Sequence, residues 1–169
     1  RPSMFDPVIK KKGIKLDISR WRRPAPDTTP WRAKAAGLYM ICTLSKHEAE
    51  AKGFADAMMY DWRGLVAEAT GANMFFVKEN KLFTPHADCF LNGITRQTVM
   101  DLARARQIEV VEKYIQSSEV GAFEQCFLTG SAAEVSPVGS IGDWKFEVGN
   151  ITRTLMDDYS NLVRGKHTI

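Results

Sequence analysis

The chain has 169 residues, is 44% hydrophobic and 25% charged, and carries a formal charge of +3. That suffices for one domain with a sizeable core and is too little charge to argue for a nucleic-acid partner. Cys42, Cys89 and Cys126 form no Cys-x-x-Cys and share no metal-ligand spacing with His47, His86 and His167, so free thiols in a cytoplasmic protein without a metal are expected; no apolar run approaches a membrane span and no signal peptide is visible.

In chain order, Arg1-Pro2 does not read as a native N-terminus, and Met4-Phe5-Asp6-Pro7 reads as loop. The chain is therefore expected to be the C-terminal piece of a longer protein. Two basic runs, Lys10-Lys11-Lys12 and Arg20-Trp21-Arg22-Arg23, read as solvated surface. Gly13 ends the loop, and Ile14 to Ser19 alternates as a strand does. Arg22 to Pro30 holds several prolines and should be extended or turning. Lys34 to about Lys52 has apolar residues at helical spacing (Leu38, Ile41, Cys42, Ala49), and Gly53 stops it.

Strands are expected at Ala55 to Tyr60 and Leu65 to Glu68. A hairpin should pair Met74 to Val77 with Leu82 to Thr84. Thr95 to Arg106 is amphipathic, with Val99, Leu102 and Ala103 inward. A strand at Ile108 to Val111 follows, then a short helix capped by Ser117 and running to Phe123. Strands at Gln125 to Leu128 and Glu134 to Val138 precede a final helix capped by Asn150, from Ile151 to about Val163. Helices and strands alternate with no clean parallel βαβ repeat, so the class is mixed α/β (α+β) with hairpins.

One ordered set of residues stands out. Glu68-Ala69-Thr70-Gly71-Ala72-Asn73-Met74-Phe75 is followed by Leu82-Phe83-Thr84 and then by Leu91-Asn92-Gly93-Ile94-Thr95-Arg96. A lone Glu beside a turn is ordinary surface chemistry, and Gly-Ile-Thr alone is simple helix initiation. The whole set resembles the signature of the class IV aminotransferases, the pyridoxal-phosphate enzymes of fold type IV, at every position. Upstream, Ala33-Lys34-Ala35-Ala36-Gly37-Leu38-Tyr39 is similar to the lysine-bearing segment of the branched-chain aminotransferases. Downstream, Phe127-Leu128-Thr129-Gly130-Ser131-Ala132-Ala133-Glu134-Val135-Ser136-Pro137-Val138 is similar to their phosphate- and carboxylate-binding turn.

The resemblance implies the large domain of the D-amino-acid-aminotransferase-like fold, a hairpin-rich pseudo-barrel sheet with flanking helices. It implies pyridoxal 5'-phosphate as cofactor and Lys34 as the amine that joins it and moves the proton. The residues alone do not single out Lys34 from Lys46 or Lys52. By the same resemblance Tyr39 donates to the ring 3-oxygen, and Glu68 pairs with the ring nitrogen, which favours its protonated form. Leu91 packs on the ring. The amides of Ile94 and Thr95 at a helix start, with Ser131, hold the phosphate. Gly71, Ser131 and Ala132 face the substrate.

The implied activity is transamination of leucine, isoleucine or valine with 2-oxoglutarate, giving branched 2-oxo acids and L-glutamate. A D-amino-acid aminotransferase, an aminodeoxychorismate lyase and an inactive assembly domain are the alternatives. In the family a smaller N-terminal domain and a neighbouring subunit complete the pocket. Residues 1–12 are thus expected to be an interdomain loop remnant and 13–169 the cofactor-binding large domain. The small domain is expected to be absent, the assembly a homodimer or higher homo-oligomer, and this chain alone inactive.

Overall fold

The structure is a computed structural model and describes residues 7–166. Arg1-Pro2 and most of the loop expected over 4–7 lie outside the described residues. Pro7 opens a short helix, α1 (Pro7–Lys12), where the sequence suggests loop. Gly13, at a φ of 73°, turns the chain into β1 (Ile14–Arg23). The strand runs beyond the alternating stretch because Arg22 and Arg23 pair with Tyr60 and Asp61 across a register shift.

The long helix expected from Lys34 is shorter. Ala35 is extended, Ala36–Tyr39 forms a 3-10 turn, and α2 covers only Met40–Ala51. Lys34 therefore stands in a loop rather than on a helix. From α2 the chain enters β2 (Asp56–Asp61), parallel to β1, so β1-α2-β2 is a crossover of the kind parallel strands require. Then β3 (Val66–Ala69) and β4 (Asn73–Lys78) follow antiparallel. Glu79 and Asn80, at φ of 51° and 58°, make the tight turn into β5 (Lys81–Pro85).

A second crossover, α3 (Ile94–Ala105), leads to β6 (Val110–Lys113), parallel to β5. A 3-10 helix at Ser117–Ala122 precedes β7 (Gln125–Gly130), β8 (Glu134–Ile141), the short β9 (Trp144–Lys145) and α4 (Asn150–Val163). The caps differ from the sequence expectation. Ser117 is not a cap: Glu119 accepts the Gln116 amide instead, at 2.9 Å. Gly149, not Asn150, takes the cap position of α4, and Gly93 takes that of α3.

Among the described residues all nine strands join one sheet. Six of them, in the order β3-β2-β1-β8-β7-β4, close on themselves through a β3–β4 pairing. The expected mixed α/β class with a barrel-like sheet stands, and closure leaves few free edges. Beyond the ring, β5 and β6 extend from β4, and β9 pairs with β8.

Alternation along β4 separates two cores. Met74 and Phe76 join Leu16, Met58, Leu128 and Ile141 on one face. Phe75 and Val77 join Phe127 and the apolar faces of α3 and α4 on the other. Phe75 and Phe127 stack with centroids 5.1 Å apart and are fully buried, each burial contributing roughly 1.5–3 kcal/mol. The Gln125 carboxamide anchors α4, accepting the Thr152 amide at 3.1 Å and its hydroxyl at 2.8 Å. All three cysteines are buried and free.

The crossing of α1 and β8 leaves no room for a side chain. A methyl group at Gly139 would meet the Lys12 carbonyl oxygen at 2.2 Å. Gly139→Ala should destabilise the fold by about 1–3 kcal/mol, the usual cost of overpacking. Urea unfolding measures it, and an unchanged midpoint would contradict this close approach.

Candidate active site

Ladder register places three polar side chains in a row. Glu68 of β3 lies opposite Asn73 of β4, and Asn73 lies opposite Thr129 of β7. Residues directly opposite in neighbouring strands project from the same face, and here that face carries α3. All three line one open cavity of about 250 Å³.

Glu68 is 9% exposed. Arg23, the last residue of β1, brings its Nε to 3.3 Å from Glu68 Oε1. The Arg23 guanidinium is also held by the Leu38 carbonyl and by Cys42 Sγ, both at 3.1 Å. Burial pushes the Glu68 carboxyl up to about 8; Arg23 opposes this and Asp56 adds to it. The ion-pair distance alone would argue for a low value. Burial outweighs it, because Arg23 Nε is close without being aligned and has no hydrogen-bond partner. A dry carboxyl of this kind favours sharing a proton with a basic nitrogen.

The start of α3 lines the same cavity. Its first amides have no partner within the helix, and no side chain caps it. Ile94, 82% exposed, lines the cavity. Thr95 is buried, with its hydroxyl 3.3 Å from the Tyr159 hydroxyl. Such a helix start favours an anion. Arg96 follows, 1% exposed, with its guanidinium donating to Asn92, Pro85, Glu112 and Thr84.

The rim carries Lys34, exposed on its loop, and Tyr39, half-buried, whose phenol is shifted upward by burial and by Glu68. Gly71 and Ser131 lie on exposed turns, and Leu91 is half-buried. The structure thus gathers Lys34, Tyr39, Glu68, Gly71, Leu91, Ile94, Thr95 and Ser131 around one cavity. Ala132 is exposed beside Ser131 and is not part of the lining.

Sequence reading overlooks Arg23, Asn73 and Thr129. Arg23 sits in a basic run that reads as solvated surface, yet it is 4% exposed. The register shift between Ile18 and Arg22 breaks the alternation that would have flagged it as inward. In the same run Arg20 is paired with Glu48. Elsewhere, Asp61, Asp88 and Cys89 cluster closely, but the Arg63 guanidinium bridges the two carboxylates at 2.7 and 2.9 Å.

The donor set fits pyridoxal phosphate. A desolvated acid suits a ring nitrogen, a bare helix start suits a phosphate, and an amine stands on the rim. Buried polar atoms of Arg23 and Thr129 lack partners. The chain is an α/β domain with a closed barrel sheet, and an acid, an amine and a bare helix start line one cavity. The class IV amino-transferase family profile matches residues 1–141, and the chain belongs to that family.

The chain is 44% identical over 168 residues to the probable branched-chain-amino-acid aminotransferase of Rickettsia typhi, covering 97% of this chain and 58% of that one. It is 33% identical over 160 residues to the branched-chain-amino-acid aminotransferase of Escherichia coli K12, covering 92% and 52%. Among solved structures, the branched-chain amino acid aminotransferase from Thermobaculum terrenum, in its PLP form (holo-form), superposes with a TM-score of 0.87 at 35% identity, covering 91% of this chain and 52% of that one. The chain spans little more than half the length of the relatives it matches. No helix among the described residues is long and apolar enough to cross a membrane.

In the unfolded chain the Glu68 carboxyl titrates at about 4.3; in the folded protein it holds its proton up to about pH 8. Between these values the native state binds more protons than the unfolded one, so stability falls as pH rises. The cofactor-free protein should lose stability from about pH 5 to 8, on the order of 1 kcal/mol per pH unit. Glu68→Gln should flatten that slope in thermal melts; a variant with the wild-type slope would show that another group dominates.

Proposed function

We propose that this chain is the large domain of a pyridoxal-phosphate-dependent branched-chain-amino-acid transaminase. It would exchange an amino group between leucine, isoleucine or valine and 2-oxoglutarate. One observation carries the reading: Lys34, Glu68 and the α3 N-terminus share one cavity. The names of the relatives support the substrate class.

When bound, the cofactor supplies an electron sink for removing a substrate's α-proton. The chain's residues have distinct tasks. Lys34 Nζ would hold the cofactor and, once the substrate amine has displaced it, would be free to accept and return the substrate's α-proton. Glu68 would hold a proton at the ring nitrogen, with the Arg23 guanidinium beside it at 3.3 Å. Tyr39 would donate a hydrogen bond to the ring oxygen, and Leu91 would pack against the ring. The Ile94 and Thr95 amides, the Thr95 hydroxyl and Ser131 hold the phosphate. Gly71, whose missing side chain leaves open space, admits the substrate. Ser131 and Ala132 offer amides to its carboxylate; Ala132 reaches it only from beyond the present lining.

Residues 1–12 are proposed to join this domain to a smaller one that completes the pocket. Met40 and Ile94, 65% and 82% exposed near the rim, are apolar surface that such a domain or a second subunit in a homo-oligomer would cover. Three free, buried thiols suit a reducing, cytoplasmic setting.

The full-length protein, supplied with pyridoxal phosphate, L-leucine and 2-oxoglutarate, should form glutamate. Borohydride should fix a pyridoxyl group on Lys34, read by peptide mass spectrometry. Lys34→Ala should lose turnover by at least about a thousandfold and still bind the cofactor reversibly. Label on another lysine, or undiminished turnover in the variant, would refute the assignment. Glu68→Gln should keep the label on Lys34 and slow α-proton removal by about a hundredfold or more, measured by exchange of the leucine α-proton.

A further inference from the structure

The segment that enters α3 is gripped by one side chain. Asn73 Nδ2 donates to the Leu91 carbonyl at 2.8 Å, and the Gly93 amide donates to Asn73 Oδ1 at 3.2 Å. One carboxamide therefore spans both sides of Asn92. The pairing is orientation-specific: the carbonyl needs a donor and the amide needs an acceptor, and the asparagine carboxamide supplies the two from separate atoms. Asn73 is 5% exposed, so the grip is shielded from water. Gly93 is part of the same device. A Cβ there would sit 2.5 Å from Asn73 Oδ1, so the amide reaches Oδ1 only because position 93 has no side chain.

The backbone of Asn73 is fixed independently. It pairs with Glu68 on one side and with Thr129 on the other. Asn73 thus sits beside Glu68 in the sheet, where the Ala69 amide donates to the Ala72 carbonyl at 2.9 Å, and its side chain holds the start of α3. Arg96 braces the same segment from beyond, through Asn92 at 2.8 Å.

We infer that Asn73 is a positioning residue that sets the distance between Glu68 and the α3 N-terminus, and so tunes the site to a rigid ligand with a cationic ring at one end and a phosphate at the other. The inference rests on the cofactor reading above. It assigns Asn73 no contact with the ligand. Its effect passes through the Gly93 amide and the orientation of the amides that follow it. Loosening the grip leaves the ring end intact and misaligns the phosphate end.

The phosphate-specific part of binding isolates this role. Dissociation constants for pyridoxal phosphate and for pyridoxal, which lacks the phosphate, are measured on the full-length protein stripped of cofactor. Wild type should prefer the phosphorylated aldehyde. In Asn73→Ala that preference should fall about tenfold or more, as expected when charge-assisted hydrogen bonds lose alignment, while pyridoxal affinity changes little. Gly93→Ala pushes the grip open without altering β4 and should lower the preference similarly, even if Asn73→Ala does not fold. The double variant should be no worse than the more affected single one. A variant that binds both aldehydes more weakly by the same factor, or keeps the wild-type preference, overturns the positioning role alone. A wild type with no preference for the phosphorylated aldehyde overturns both this role and the cofactor reading.

Discussion

The structure depends on where its barrel closes. Five of the six junctions in the ring are multi-residue ladders; the sixth, between β3 and β4, is the single pair Glu68–Asn73. After that pair the strands part, and β4 continues its edge with β5 instead. The closure point is also the floor of the cavity. The fold thus brings a charged residue to the one place where the sheet is thinnest, and it does so with backbone hydrogen bonds rather than with mobile side chains. Strand pairing holds Glu68 and Asn73 more tightly than loops could, as a site of defined geometry requires.

That placement has an electrostatic consequence. A carboxyl buried at a sheet junction is stripped of water, and the nearest cation, Arg23, is committed elsewhere: it donates to Leu38 and Cys42 and meets Glu68 only obliquely. An optimised structural ion pair would align the two groups in a bidentate fork. Here the misalignment leaves one carboxylate oxygen and one guanidinium nitrogen underused. The carboxyl keeps an affinity for protons that a cationic ligand can satisfy. Incomplete satisfaction of buried polar groups is costly to stability and is therefore concentrated where binding can offset it.

How much of this is legible in the sequence differs by residue. Lys34, Tyr39, Glu68 and the Leu91–Thr95 segment are legible because their order and spacing carry a family resemblance, and the structure gathers them around one cavity. The strands are legible because alternation and turn residues are local signals. Arg23 is not, because a register shift inside β1 uncouples it from the alternation and its neighbours look like surface. Asn73 is visible as a letter of the motif, yet its task depends on Leu91 and Gly93, eighteen and twenty positions away. The start of α2 is hidden because the apolar spacing of Leu38, Ile41 and Cys42 reads the same whether the first turn is 3-10 or α. The β3–β4 closure leaves no trace that a single strand's pattern could show.

The division between floor and rim then follows from the tasks. Groups that must keep a fixed separation, Glu68 and the α3 N-terminus, are tied to the sheet through Asn73 and to β5 and β6 through Arg96. Lys34, Gly71 and Ser131, which move or admit something in the proposed function, sit on exposed loops between elements. In that function an amine that leaves one atom and reaches another needs the freedom of a loop, and a proton-sharing acid needs the opposite. Had Lys34 been the first residue of α2, as its apolar neighbours suggest, its backbone would be locked into the helical ladder. The extended Ala35 and the 3-10 turn after it separate the lysine from that ladder, so the same segment supplies a rigid helix packed on β1 and β2 and an unencumbered amine at the cavity mouth.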